Sequence, residues 1–97
     1  MYKHQARMTS RRREILILMA KGYSTKQIAK KMELSLSNTR FQKWRLYCYL
    51  GDIHNAIDAV YMGLQQGLLK KKDLSLAIRE EIYDVEIEKQ MYRCVER

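Results

Sequence analysis

Ninety-seven residues, 46% hydrophobic and 31% charged, are enough for one folded domain with a core of its own and too apolar for a disordered tail. The longest apolar run, Ile15 to Ala20, is far below the roughly 20 residues that span a bilayer, so no membrane partner is expected. The net charge of +8 is unevenly placed: residues 1–72 carry fifteen Lys/Arg against four acids, whereas residues 73–97 carry four against seven. That asymmetry separates a polyanion-facing part from a part with another task.

The N-terminus imitates a secretory signal, with Lys3, Arg7 and Arg11–Arg13 before the apolar run. Glu14 opens that run, however, and Lys21 closes it where small residues should follow. Thr9 and Ser10 are cap residues for a first helix, whose apolar positions Ile15, Leu18 and Met19 fall three and four apart. Gly22 stands where a helix end calls for a left-handed residue. Ser24-Thr25-Lys26-Gln27 has the spacing of a capping box and opens a short second helix with Ile28, Ala29 and Met32 on one face.

Ser35 caps a third helix, running over about 36–50 to Gly51, with Thr39, Gln42 or Lys43, Leu46 and Leu50 facing inward. Only a few residues around Glu33-Leu34 separate the second and third helices. Two short helices on so tight a link cross steeply, which is the helix-turn-helix arrangement. Helical hairpins also pack in proteins that never meet DNA; here Lys21, Lys26, Lys30 and Lys31 on or before the second helix and Arg40, Lys43 and Arg45 on the third favour a polyanion partner.

A fourth helix is expected from about Asn55 to Gln66, with Ala56, Val60 and Leu64 four apart, and with Gly63 inside it at some cost in propensity unless a neighbour packs closely there. Gly67 closes it, and Leu68-Leu69 and Lys70-Lys71-Lys72 form a link more easily read as solvated than as a phosphate clamp. From Asp73 or Ser75 onward no breaker interrupts a long final helix. Ile78, Ile82 and Val85 make one stripe on it, and Tyr83, Ile87 and Met91, with Tyr92 and Val95, broaden the apolar face. Two readings of this helix stand: it folds back on the first four, or it pairs with a second chain.

Over residues 8–69 the sequence resembles the LuxR/GerE/FixJ-type DNA-binding domain, with no gap. The resemblance is carried by Met8-Thr9-Ser10-Arg11-Arg12-Arg13-Glu14-Ile15-Leu16, Leu18, Ala20-Lys21-Gly22-Tyr23-Ser24-Thr25-Lys26-Gln27-Ile28-Ala29, Met32, Ser35, Leu50-Gly51, Ala59-Val60 and Gly67-Leu68-Leu69. It implies an all-α fold, a four-helix LuxR-type helix-turn-helix domain over residues 1–72; the C-terminal helical extension over 73–97 rests on its own periodicity and lies outside the resemblance. The resemblance further implies a bacterial transcription regulator, commonly a dimer paired through the fourth helix, working in the cytoplasm of a bacterial or phage-infected cell. The chain departs from the family where Leu36-Ser37-Asn38-Thr39-Arg40 follows the serine cap, since Thr39 takes the place of a buried valine. Ser10 and Arg12 likewise stand where the family has proline and a capping glutamate.

Base edges demand paired donors and acceptors, and phosphates demand cations and N–H or hydroxyl donors. On that basis Ser37, Asn38, Arg40, Phe41 and Trp44 are the expected base-reading residues: Arg40 for guanine, Asn38 for adenine or else for local capping, and Phe41 for a thymine methyl. Phe41 and Trp44 are equally open to packing against the final helix. Lys21, Thr25, Lys26, Gln27, Lys30, Lys43 and Arg45 are the expected backbone contacts, and Val60, Leu64, Ile78, Ile82 and Val85 the expected dimer or partner contacts.

Cys48 and Cys94, even with His4 and His54, show no zinc spacing, so no metal or cofactor is expected. No phosphate loop, nucleophile–base pair or paired carboxylates appear, so no enzyme is expected either. Double-stranded DNA and a second copy of the chain are the expected partners. The rival class is an interaction protein, of phage origin, that docks on RNA polymerase or another regulator through Phe41, Trp44 and the final helix.

Overall fold

A computed structural model describes the backbone of residues 7–51 and 53–95, with side chains through Lys89. Lys3, His4, and the side chains of Met91, Tyr92, Cys94 and Val95 lie outside the described residues. The fold is all-helical: α1 (Ser10–Ala20), α2 (Thr25–Met32), α3 (Leu36–Leu50), α4 (Ala56–Gln65) and α5 (Leu76–Val95), with a 3₁₀ turn at Lys71–Asp73 before α5.

The helix starts are set by short polar side chains. Thr9, Ser24, Ser35 and Asn55 each accept from the backbone N–H three residues on, which occupies one of the donors a helix start leaves open. At Ser24 the box is complete, because the Gln27 side chain accepts from the Ser24 N–H at 2.9 Å. The turn between α2 and α3 is made by Glu33, a non-glycine residue in the left-handed region (φ 55°), and closed by the Leu34 N–H donating to the Ala29 carbonyl at 2.9 Å. This turn is what fixes the steep crossing of α2 and α3.

The core joins all five helices. Ile15, Leu16, Met19 and Ala20 of α1 meet Ile28 of α2, Leu46 and Leu50 of α3, Ala59 and Val60 of α4, Leu69, Leu74, and Ile82 of α5. Two stripes differ from those read in the sequence. In α1 the buried set is Ile15, Leu16, Met19 and Ala20, with Leu18 only half-buried, because the helix is covered over a wider arc than one apolar stripe. In α4 the buried residues are Ala59, Val60 and Gly63, while Ala56 and Leu64 sit at the edges. The helix turns its smallest residue inward, so that Gly63 lies against Leu16 and Leu69.

The start of the final helix folds back on the first four. The Ser75 N–H donates to the Ala20 carbonyl at 3.0 Å, pinning the start of α5 to the C-terminal end of α1. Ile82 is then buried against the core, with Ile78 packed beside it. Leu76, Tyr83 and Ile87 remain exposed on the outer side.

Candidate nucleic-acid interface

The outer face of α3 is open to solvent. Ser37 and Arg40 are exposed, and Phe41 and Trp44 are each 50% exposed. The two rings pack on one another, with centroids 6.0 Å apart and planes tilted by 40°. These positions, spaced by four and three, form one ridge along the helix. Behind it Thr39, Leu46 and Leu50 are buried.

Each side of the ridge is tied to a different helix. On one side the Lys43 ammonium donates to the Thr25 hydroxyl at 2.8 Å and lies 5.9 Å from the Tyr47 ring centroid. Lys43 is half-buried in consequence, and loss of hydration lowers its pKa. On the other side the Gln42 amide donates to the Asn38 side-chain oxygen at 3.4 Å and accepts from the Arg12 Nε at 2.9 Å. Gln42 and Lys43 thus both face the body of the protein, where the sequence pattern left either one. Arg45 is half-buried on the Gln42 side.

The start of α2 has the chemistry of an anion site. The capping box engages the Ser24 and Gln27 N–H groups, and the Thr25 and Lys26 N–H groups are the remaining helix-start donors. Together with the positive end of the helix dipole they suit a phosphate oxygen. Lys21, Lys26, Gln27 and Lys30 are exposed around this end and along the helix. Lys31 lies over the Tyr23 ring, 4.7 Å from its centroid.

The candidate partner contacts fall elsewhere. Val60 is fully buried and Ile82 is 3% exposed, so both are spent on the chain's own core and offer no surface to a second chain. Leu64, Ile78 and Val85 are half-buried around them.

Arg12, Gln42 and Arg7 were not among the expected contacts. Arg12 donates through Nη1 to the Arg7 carbonyl at 2.9 Å as well as to Gln42. Its pKa is lowered first by loss of hydration and then by the like charges of Arg45 and Arg7. The one sequence signal was the arginine at position 12, where the resembled family has an acid.

Among the described residues no group of His, Cys, Asp and Glu side chains could hold a metal ion, and no helix is long and apolar enough to cross a membrane. No curated protein and no solved structure matches the chain. The sequence model of the GerE family, described as bacterial regulatory proteins of the luxR family, matches residues 6–62, more than half of the chain. With its capped helices, left-handed turn at Glu33 and exposed third helix, the chain belongs to this luxR family of DNA-binding regulators.

Proposed function

We propose that this chain is a sequence-specific double-stranded-DNA-binding transcription regulator that lays the exposed ridge of α3 in the major groove. The observation that carries the reading is the ridge itself: Ser37, Arg40, Phe41 and Trp44 all keep solvent-facing surface. Arg40 has the paired donors to bridge guanine O6 and N7. Asn38 is half-buried with its oxygen engaged by Gln42, so it acts on bases only through its free amide donors. The start of α2 supplies the phosphate contacts, from the Thr25 and Lys26 N–H groups, Lys21, Gln27 and Lys30. Lys43 and Arg45 lie at the sides of the ridge within the same field.

A homodimer would use the outer surfaces of α4 and α5, at Leu64, Ile78 and Val85, and place two ridges about one helical turn of DNA apart. The exposed Phe41–Trp44 pair also favours a second reading, in which α3 docks on RNA polymerase or another regulator.

The deciding experiment titrates the protein onto random-sequence duplex DNA at several salt concentrations. A regulator of this kind loses affinity steeply with salt, with a slope of about −0.9 per phosphate neutralised. Selection of bound sequences from a random duplex pool then gives the preferred site, on which Arg40→Ala costs ~1–3 kcal/mol and on random DNA little. Feeble binding at low salt hands the protein to the docking reading.

A further inference from the structure

The two sides of α3 are built alike in one respect. Each is fastened to the N-terminal turn of a neighbouring helix by one side-chain hydrogen bond: Lys43 to Thr25 of α2, and Gln42 to Arg12 of α1. The ridge of Ser37, Phe41 and Trp44 therefore runs between two helix starts. A major groove is about 12 Å wide and bordered by phosphates of both strands, so a helix lying in it has a backbone on each flank. The start of α2 accounts for one.

The other flank is cationic and held ready. Arg12 is oriented by two acceptors, the Gln42 amide oxygen and the Arg7 carbonyl, neither of which carries charge. Those two bonds fix the guanidinium without neutralising it, and three of its five N–H donors are left over. Arg7 is exposed beside it, and Arg45 follows Gln42 by three residues on the same flank. Loss of hydration first, and then the like charges of Arg45 and Arg7, lower the Arg12 pKa. A phosphate between them relieves the like-charge repulsion.

We propose that Arg12, with Arg7 and Arg45 beside it, is a second phosphate-binding rim that grips the DNA strand across the groove from the strand held by α2. The proposal rests on the reading of α3 as the groove-lying helix. It goes further in assigning a binding role to α1 and the chain before it.

The test compares the salt slope of duplex binding for the full chain and five variants: Arg12→Gln, Arg12→Lys, Arg7→Gln, Lys26→Gln and the Arg12→Gln/Lys26→Gln double. Arg12→Gln should reduce the slope by about one phosphate's worth, ~0.9, and Arg12→Lys should keep it, because the charge and not the Gln42 bond is what the phosphate needs. Arg7→Gln leaves the Arg7 carbonyl in place for Arg12 and should lower the slope in the same sense. Combined with Lys26→Gln, the Arg12→Gln loss should add, since the two contact separate strands. An unchanged slope in Arg12→Gln, with wild type binding steeply, overturns the rim and leaves the regulator reading standing. Equal losses in Arg12→Gln and Arg12→Lys also overturn it, by showing that Arg12 acts only by holding Gln42. Failure of the wild-type chain to bind duplex at low salt overturns the regulator reading itself.

Discussion

The Lys43 ammonium donates to the Thr25 hydroxyl at 2.8 Å, and this bond ties the middle of α3 to the first turn of α2. A cation that an outward-facing register would have left in water is instead half-buried in the seam of the helix-turn-helix. The bond adds a side-chain tie to the crossing that the Glu33 turn sets, beside the first residues of α2.

This seam should respond to alkali in two opposite ways. Burial lowers the Lys43 ammonium below its usual 10.5 and raises the Tyr47 phenol above its usual 10.0. Between the lowered Lys43 value and 10.5 the unfolded chain binds more protons than the folded one, so stability rises with pH there. Between 10.0 and the raised Tyr47 value the folded chain keeps the phenol proton longer, so stability falls. Urea unfolding of wild type, Lys43→Met and Tyr47→Phe from about pH 7 upward checks both signs. Lys43→Met should lose the rise and Tyr47→Phe the fall; a constant wild-type-minus-variant difference across the range would remove the argument.

Thr39 is fully buried under α3, where the resembled family has valine. Its hydroxyl is not orphaned: it donates to the Ser35 carbonyl at 2.9 Å, a carbonyl that already accepts the Thr39 N–H at 3.0 Å. The second bond to one acceptor adds little, and valine has the same shape without a buried polar atom. Thr39→Val should therefore leave stability unchanged or raise it by up to about 1 kcal/mol, read by urea unfolding. A loss of more than about 1 kcal/mol would mean that the hydroxyl is a needed support for α3.

Much of this fold was legible because its boundaries are local chemistry. Thr9, Ser24, Ser35 and Asn55 cap with their own side chains within three residues, and Gly22, Gly51 and Gly67 take the positive φ that ends a helix. The inward set of α3 was legible for the same reason, since Thr39, Leu46 and Leu50 follow the helical period. What escaped depends on partners far along the chain. Nothing near Arg12 in sequence announces Gln42, thirty residues on. Val60 and Ile82 looked like a surface for a second chain because periodicity marks an apolar face without saying what covers it, and here each is covered by the chain itself. The burial of Gly63 in place of Leu64 follows from how closely α4 approaches α1, which no one-helix pattern encodes.

That close approach gives a third prediction. A Cβ at residue 63 would lie 3.0 Å from both Leu16 Cδ2 and Leu69 Cδ1. Alanine gains up to about 1 kcal/mol in helix propensity, but overpacking a filled core costs typically ~1–3 kcal/mol. Leu16 is fully buried and Leu69 nearly so, and both must step aside at once. Gly63→Ala should be destabilising by about 1 kcal/mol in urea unfolding. A more stable variant would show that the leucines have room to move.

The Phe41–Trp44 pair separates the groove reading from the docking reading. Each ring is 50% exposed and neither is in the core, so Phe41→Ser and Trp44→Ser should change stability by less than about 1 kcal/mol. If the ridge lies in the groove, Phe41 presses on a thymine methyl, and that methyl can be deleted from the DNA as well as the ring from the protein. Replacing thymine by deoxyuridine in the selected site should weaken wild type, and Phe41→Ser should be weak already and indifferent to the change. The coupling in this cycle reports the contact itself, whereas loss of affinity alone could come from altered helix packing. Additive effects, with Phe41→Ser still sensitive to the methyl, would take Phe41 off the base. Full affinity in both serine variants would move the aromatic pair to a protein partner and leave Arg40 to read the groove without it.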